Sequence, residues 1–243
     1  MTYQEITYYL HNLADTKIAE HSQYFFKTGE GEYGFGDKFL GIRVPVIRDA
    51  VKKFKNTPLS AAKKLLKSEY HEVRLFALLL LVFRFNDKLK TDLQKKQNEQ
   101  EEIYHIYLSN TQYINNWDLV DSSAHYIAGA YLENKDKSIL YDFSKSDLLW
   151  ERRIAIMSTF YYIKRNSFTD ALRISELLIG DKEDLIHKAV GWMLREIGKR
   201  DIDTEITFLK AHYKRMPRTI LRYTIEKFPK EERMKYLKGE IAE

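Results

Sequence analysis

Apolar residues recur at intervals of three and four along almost all of this chain, and only 10 glycines and 4 prolines interrupt its 243 residues. That spacing gives each segment one apolar helical face, and convincing period-two stretches bounded by turn signals are missing. The expected class is all-α. Helices are predicted over 2–13, 15–28, 45–55, 60–68, 71–86, 89–110, 117–133, 136–144, 149–165, 168–179, 184–199, 202–215, 217–228 and 230–237. Pro45 and Pro217 suit a first helical turn, and Gly180 followed by Asp181 and Asp184 reads as a stop and a new cap. No Pro-, Gly- and Ser-rich linker divides the chain, so 1–243 is expected to be a single domain.

Consecutive helices with short links suggest repeats. Three segments resemble one another: His71-Glu-Val-Arg-Leu-Phe-Ala-Leu, Trp150-Glu-Arg-Arg-Ile-Ala-Ile-Met and Ile186-His-Lys-Ala-Val-Gly-Trp-Met. Arg153 and Lys188 stand 35 positions apart, and Arg74 to Arg153 spans 79, about two such steps, near the period of HEAT-type helical pairs. The architecture this predicts is an α-α solenoid of HEAT-like repeats stacked in a right-handed curved superhelix with a concave face.

Two helices carry the residues of interest. In Asn115-Asn-Trp-Asp-Leu-Val-Asp121, the i, i+4 relation puts Trp117 and Asp121 on one face a turn apart. Asp118 points elsewhere, and as a first-turn acid it suits capping and the helix dipole. From spacing alone Asp121 is either a working carboxylate or a solvated or salt-bridged surface acid. In the helix from Asp184, residues Ile186, Ala189, Val190, Met193, Leu194 and Ile197 complete a buried stripe. Trp192 lies off it, on a face shared with Lys188, Arg195 and Lys199. Such a face could stack on a nucleotide amid phosphate-directed cations, or cover a neighbouring helix with Lys and Arg stems packed on the ring. Arg152 and Arg153 open an otherwise apolar helix, so at least one is expected to have a committed partner: a phosphate, or a carboxylate such as Asp121 or Glu151.

The formal charge of +5 suits a polyanionic partner. Cations gather at Lys199, Arg200, Lys210, Lys214, Arg215 and Arg218, opposite in sign to the Gln97–Glu102 run, a pattern that also fits plain solvated helix faces. With no cysteine, disulfides, thiolate metal sites and cysteine nucleophiles are excluded. The 7 histidines show no metal-ligand spacing, and His71-Glu72 lacks a second histidine four residues on. The Gly29–Gly36 stretch follows a helix and lacks a Gly-Lys-Ser/Thr ending, so it is a shaped loop rather than a phosphate loop. The Phe25-Phe26 and Tyr161-Tyr162 pairs are expected in or near the core. Met-Thr-Tyr-Gln-Glu lacks signal-peptide character, and the longest apolar run, Leu75 to Phe83, is too short to span a bilayer, so an intracellular, cytoplasmic location is expected.

Three segments, Trp117-Asp-Leu-Val-Asp121, Trp150-Glu-Arg-Arg-Ile-Ala-Ile156 and Lys188-Ala-Val-Gly-Trp-Met-Leu-Arg-Glu196, together resemble the AlkD-type DNA alkylation repair family, HEAT-like repeat alkylpurine DNA glycosylases. The resemblance covers essentially the whole chain, including Tyr24-Phe-Phe-Lys and Phe39-Leu-Gly-Ile-Arg-Val-Pro45. It implies that Asp121 is the catalytic carboxylate, that Trp117 and Trp192 flank the lesion nucleotide, and that Arg153 and Tyr24 contribute to the same cleft, with Lys188, Arg195 and Lys199 toward DNA. The implied activity is hydrolysis of the N-glycosidic bond of cationic N3- or N7-alkylated purines in duplex DNA, without base flipping. The implied protein is a monomer with no cofactor and no metal, bound to double-stranded DNA. The Gly29 to Gly41 loop is longer than in one member of that family. Two other readings stand beside this one: a non-catalytic HEAT-like protein that binds branched, bent or damaged DNA, and a protein-binding scaffold.

Overall fold

In the computed structural model, residues 2–87 and 92–241 are described. They are helical, and among them no β-strand forms; one isolated bridge joins Lys38 and Tyr70. Internal contacts cluster into two compact units, Met1–Tyr131 and Leu132–Glu243.

The first unit contains α1 (Tyr3–His11), α2 (Thr16–Phe25), α3 (Val44–Lys53), α4 (Leu59–Leu65), α5 (His71–Phe85), α6 (Leu93–Leu108) and α7 (Trp117–Asp121), followed by a π-helical segment, His125–Gly129. The predicted start of α6 at 89 lies outside the described residues. Helix α5 is the centre: it packs on α3, α4, α6 and α7, and every side chain from His71 to Leu81 is buried. Helices α1 and α2 begin as local chemistry requires. Thr2 and Glu5 form a reciprocal capping box, and Asp15 accepts from the Ile18 amide.

The second unit contains α8 (Ser138–Phe143), α9 (Leu149–Ser158), α10 (Phe160–Ile163), α11 (Thr169–Leu178), α12 (Asp184–Gly198), α13 (Ile202–His212), α14 (Arg218–Thr224) and α15 (Lys230–Lys238). Helix α12 is its centre, packed on α9, α11, α13 and α14. The predicted stripe is realised in full, with Ile186, Ala189, Val190, Met193, Leu194 and Ile197 inaccessible to solvent. Each of these side chains larger than alanine contributes about 1.5–3 kcal/mol. Gly191 lets α14 approach, because a Cβ there would stand 2.5 Å from the Tyr223 Cβ and 2.7 Å from the Ile220 carbonyl.

The three repeat helices α5, α9 and α12 start in the same way. At the fourth position of each, a side-chain N–H donates to the carbonyl six residues upstream: Arg74 to Ser68 (2.8 Å), Arg152 to Ser146 (2.9 Å) and His187 to Asp181 (2.6 Å). The equivalent residues are therefore Arg74, Arg152 and His187, one place away from the Arg74, Arg153 and Lys188 register suggested by composition.

Two predicted helices are broken. The 117–133 segment leaves α-geometry after Asp121, where Ser123 Oγ donates back to the Leu119 carbonyl (2.6 Å) and a π-helical turn follows. The 149–165 segment divides at Thr159, where Ser158 Oγ bonds the Ile154 carbonyl and Thr159 Oγ1 the Ile156 carbonyl, each at 2.7 Å. In both places hydroxyls compete with backbone amides for the same carbonyls and loosen the ladder.

Candidate functional site

Tyr24, Trp117 and Asp121 belong to the first unit. Helix α7 is one turn of five residues, with Trp117 at its start and Asp121 at its end. The Asn116 side chain caps it by accepting from the Trp117 amide (2.8 Å). Both Trp117 and Asp121 are half-buried. The Trp117 ring lies 5.5 Å from Phe26, nearly parallel, and 6.1 Å from Phe25, edge-on. The end of α2 therefore supplies an aromatic wall beside α7. Tyr24, in the same turn, is 87% exposed, and Phe25 is 54% exposed. Phe25 is thus not the core residue its apolar character suggested: it packs on Trp117 with one edge and meets solvent with the rest.

The far end of α7 is tied to α6. The buried Tyr107 hydroxyl and Ser123 Oγ lie 3.1 Å apart, and Ser123 holds the Leu119 carbonyl. Burial raises the Tyr107 phenol well above its ordinary range, the Ser123 bond works the other way, and the negative charge of Asp121 adds to the rise. Tyr107 is thus a neutral hydroxyl close enough to Asp121 to feel its charge.

Asp118 stands in the first turn as expected, but the cap is Asn116, and the Asp118 carboxylate is bound to His71. Its Oδ2 lies 2.8 Å from Nε2 of His71, whose Nδ1 lies 3.3 Å from Asp37 Oδ2. Asp37 also accepts from Arg74 (2.7 Å) and from Asn115 (3.2 Å). Burial disfavours a charged His71, yet Asp118 and Asp37 outweigh it, and the imidazole pKa rises to about 9. Glu72 has a different duty: its carboxylate accepts from the backbone amides of Leu40 (2.8 Å), Gly41 (2.8 Å) and Ile42 (3.2 Å). Sequence reasoning passed over His71, Asp37 and Tyr107, because their partners are 16 to 47 residues away along the chain.

Arg153, Lys188, Trp192, Arg195 and Lys199 belong to the second unit. Arg153 is 4% exposed and donates through Nη1 to the Leu185 carbonyl, in the first turn of α12. Arg152 instead pairs with Asp181 (2.6 Å). Trp192 is half-buried beside Phe160, with ring centroids 5.9 Å apart. Its Nε1 donates to Glu196 Oε1 (3.3 Å), which also pairs with Lys199, while Arg200 holds Oε2 (3.1 Å). Burial opposes the charge on Glu196, but Lys199 and Arg200 keep its pKa below the usual carboxylate range. Lys188 pairs with Asp184 (2.7 Å), and Arg195 pairs with Glu226. The face therefore combines an aromatic ring with cations that already have acidic partners. Lys188 and Asp184 are both substantially exposed, and an ion pair so open to water is weak enough to exchange for a phosphate, whereas the Lys199 partner Glu196 is buried.

Among the described residues no group of three His, Asp or Glu side chains suits a metal ion, and no helix is long and apolar enough to cross a membrane. Two open grooves, of about 510 and 500 Å³, are lined respectively by residues around Lys210–Arg215 and around Arg84–Glu99. Neither includes a candidate residue.

A family profile described as DNA alkylation repair enzyme matches residues 6–228. Solved structures share the fold. A predicted DNA alkylation repair enzyme from Enterococcus faecalis aligns over 89% of this chain and 97% of its own, with a TM-score of 0.66 at 16% identity. AlkD2 from Streptococcus mutans aligns over 78% and 91%, with a TM-score of 0.56 at 20% identity. The protein smu.31 from the same organism aligns over 91% and 95%, with a TM-score of 0.53 at 19% identity. No curated protein sequence matches.

Proposed function

Because the chain belongs to the DNA alkylation repair enzyme family, we propose that it is a DNA glycosylase that hydrolyses the N-glycosidic bond of cationic N3- or N7-alkylated purines in duplex DNA. One observation carries the proposal: α7 displays a half-buried carboxylate, Asp121, one turn from Trp117, against the aromatic end of α2. Asp121, at the other end of that one turn from Trp117, is the acid assigned to the reacting sugar.

A single carboxylate suffices for such a substrate. An N3- or N7-alkylated purine is positively charged and leaves without protonation, whereas ordinary glycosidases use a second carboxyl as general acid. Asp121 stabilises the positive charge that develops on the sugar and orients the attacking water. The π-face of Trp117 favours a cationic base, and the exposed Tyr24 ring can extend the same surface. Trp192, Lys188, Arg195 and Lys199 are assigned to contacts with the DNA, and Arg153 acts through α12, whose first turn it holds. With no general acid, the lesion need not be extruded into a pocket that protonates it.

The test is substrate charge. Duplexes carrying 7-methylguanine or 3-methyladenine are expected to lose the base, and duplexes carrying the neutral lesion hypoxanthine to react more slowly by at least about 100-fold. Equal rates on cationic and neutral lesions would refute a one-carboxylate mechanism. Salt-sensitive binding without any release would favour a DNA-structure binder.

A further inference from the structure

We infer that His71 is a positioning residue for Asp121: clamped between Asp37 and Asp118, it fixes the orientation of α7 and so aims both Trp117 and Asp121. The inference rests on the proposed role of Asp121 for its catalytic half, while its structural half stands or falls by itself.

A five-residue helix has no stability of its own, since nucleation is unfavourable and one turn adds little propagation. Its direction must come from groups outside it. His71 reaches α7 in two ways. Nε2 bonds Asp118 Oδ2 at 2.8 Å, and the imidazole packs 4.9 Å from Phe26, which stacks on Trp117. The ring also stacks 4.7 Å from Phe39, which itself stacks 5.2 Å from Phe26, and Nδ1 faces Asp37 on the loop after α2. His71 is 2% exposed, so water cannot replace either partner.

Only a protonated imidazole can donate from both nitrogens to two carboxylates. The charged groups facing it are Asp37 from the loop, Asp118 from α7 and Arg74 from its own helix; the Glu72 carboxylate is turned to the amides of Leu40 to Ile42. The two acids hold the proton on His71 up to a pKa of about 9, so the clamp is closed at neutral pH. Asp118 and Asp121 share one helical turn, so a rotation that releases the first displaces the second.

The test uses the full chain with His71→Gln and Asp118→Asn, each checked for native helix content and cooperative unfolding. Three quantities are read: single-turnover release of 7-methylguanine, affinity for the same duplex, and the Trp117 indole N–H resonance in the free protein. Release is expected to slow by about 10- to 100-fold, as for a catalytic group misplaced by about an ångström. Affinity should stay within about twofold and the Trp117 resonance should shift in both variants. Folded variants that keep the wild-type rate and the wild-type Trp117 resonance would overturn the inference. If neither variant folds, the wild-type protein decides: the Trp117 resonance should move with the His71 imidazole as pH passes about 9, and a Trp117 signal unmoved while His71 titrates would overturn it. If the wild-type chain releases no base, the glycosylase reading falls, and the Trp117 resonance still decides whether His71 fixes α7.

Discussion

Helices α7 and α12 carry most of the candidate residues and are held by different balances of apolar and polar contact. Helix α12 has fifteen residues and six fully buried apolar side chains; Lys188 and Asp184 pair at its exposed edge, and the buried Glu196 pairs with Lys199 and Arg200. Helix α7 has five residues, of which only Leu119 and Val120 are buried apolar side chains, and it is anchored as well by polar groups: the Asn116 cap, the Tyr107–Ser123 contact and the Asp37–His71–Asp118 chain. Apolar packing fixes where a helix lies but is indifferent to charge. Hydrogen-bonded charge fixes direction more narrowly, and makes that direction depend on protonation. The chemistry is assigned to the helix whose aim is set by hydrogen bonds.

The comparison can be broken most severely at Glu72. Glu72→Ala leaves the buried amides of Leu40, Gly41 and Ile42 without their acceptor. A loss of about 3 to 5 kcal/mol is expected in denaturant unfolding; a loss under about 1 kcal/mol would show that buried polar contacts do not secure the first unit.

Alkaline pH comes next. The folded pKa of His71 is raised to about 9, so its contribution is fully present below the unfolded value and disappears as pH climbs through about 9. Up to about 3 kcal/mol should be lost on that rise, and the loss should be absent in His71→Gln. Equal alkaline losses in the two proteins would assign the effect to other groups. The second unit is tested by Gly191→Ala, whose Cβ would meet Tyr223 and Ile220. Overpacking there should cost about 1 to 3 kcal/mol with no dependence on pH. The smallest effect is expected for Lys188→Ala, whose partner Asp184 is exposed, where stability should change by no more than about 0.5 kcal/mol. The logarithmic salt dependence of duplex binding should become shallower by about 1, and an unchanged slope would remove Lys188 from the DNA contacts.

Much of this was legible in the sequence for a physical reason: the apolar stripe of α12 and the i, i+4 relation of Trp117 and Asp121 are local consequences of helical period, which needs no tertiary knowledge. The helix breaks at Ser122-Ser123 and Ser158-Thr159 were hidden, because the periodicity continues across them while the hydroxyls alter the hydrogen bonding. The sequence left Arg153 open to a phosphate or an internal carboxylate, and its position inside the fold, bonded to the Leu185 carbonyl, depends on how α9 packs against α12. His71 could be read only as a histidine without metal-ligand spacing. Its partners Asp37 and Asp118 are 34 and 47 positions away, and only folding brings them together.

The measurement that bears most directly on the central claim is release of free 7-methylguanine from methylated duplex DNA by the wild-type chain and by Asp121→Asn, both verified as folded. Release by the wild type, reduced by about 100-fold or more in the variant while duplex affinity is retained, is the predicted result. Release at the same rate from both proteins would contradict the assignment of Asp121, and release from neither would contradict the glycosylase itself.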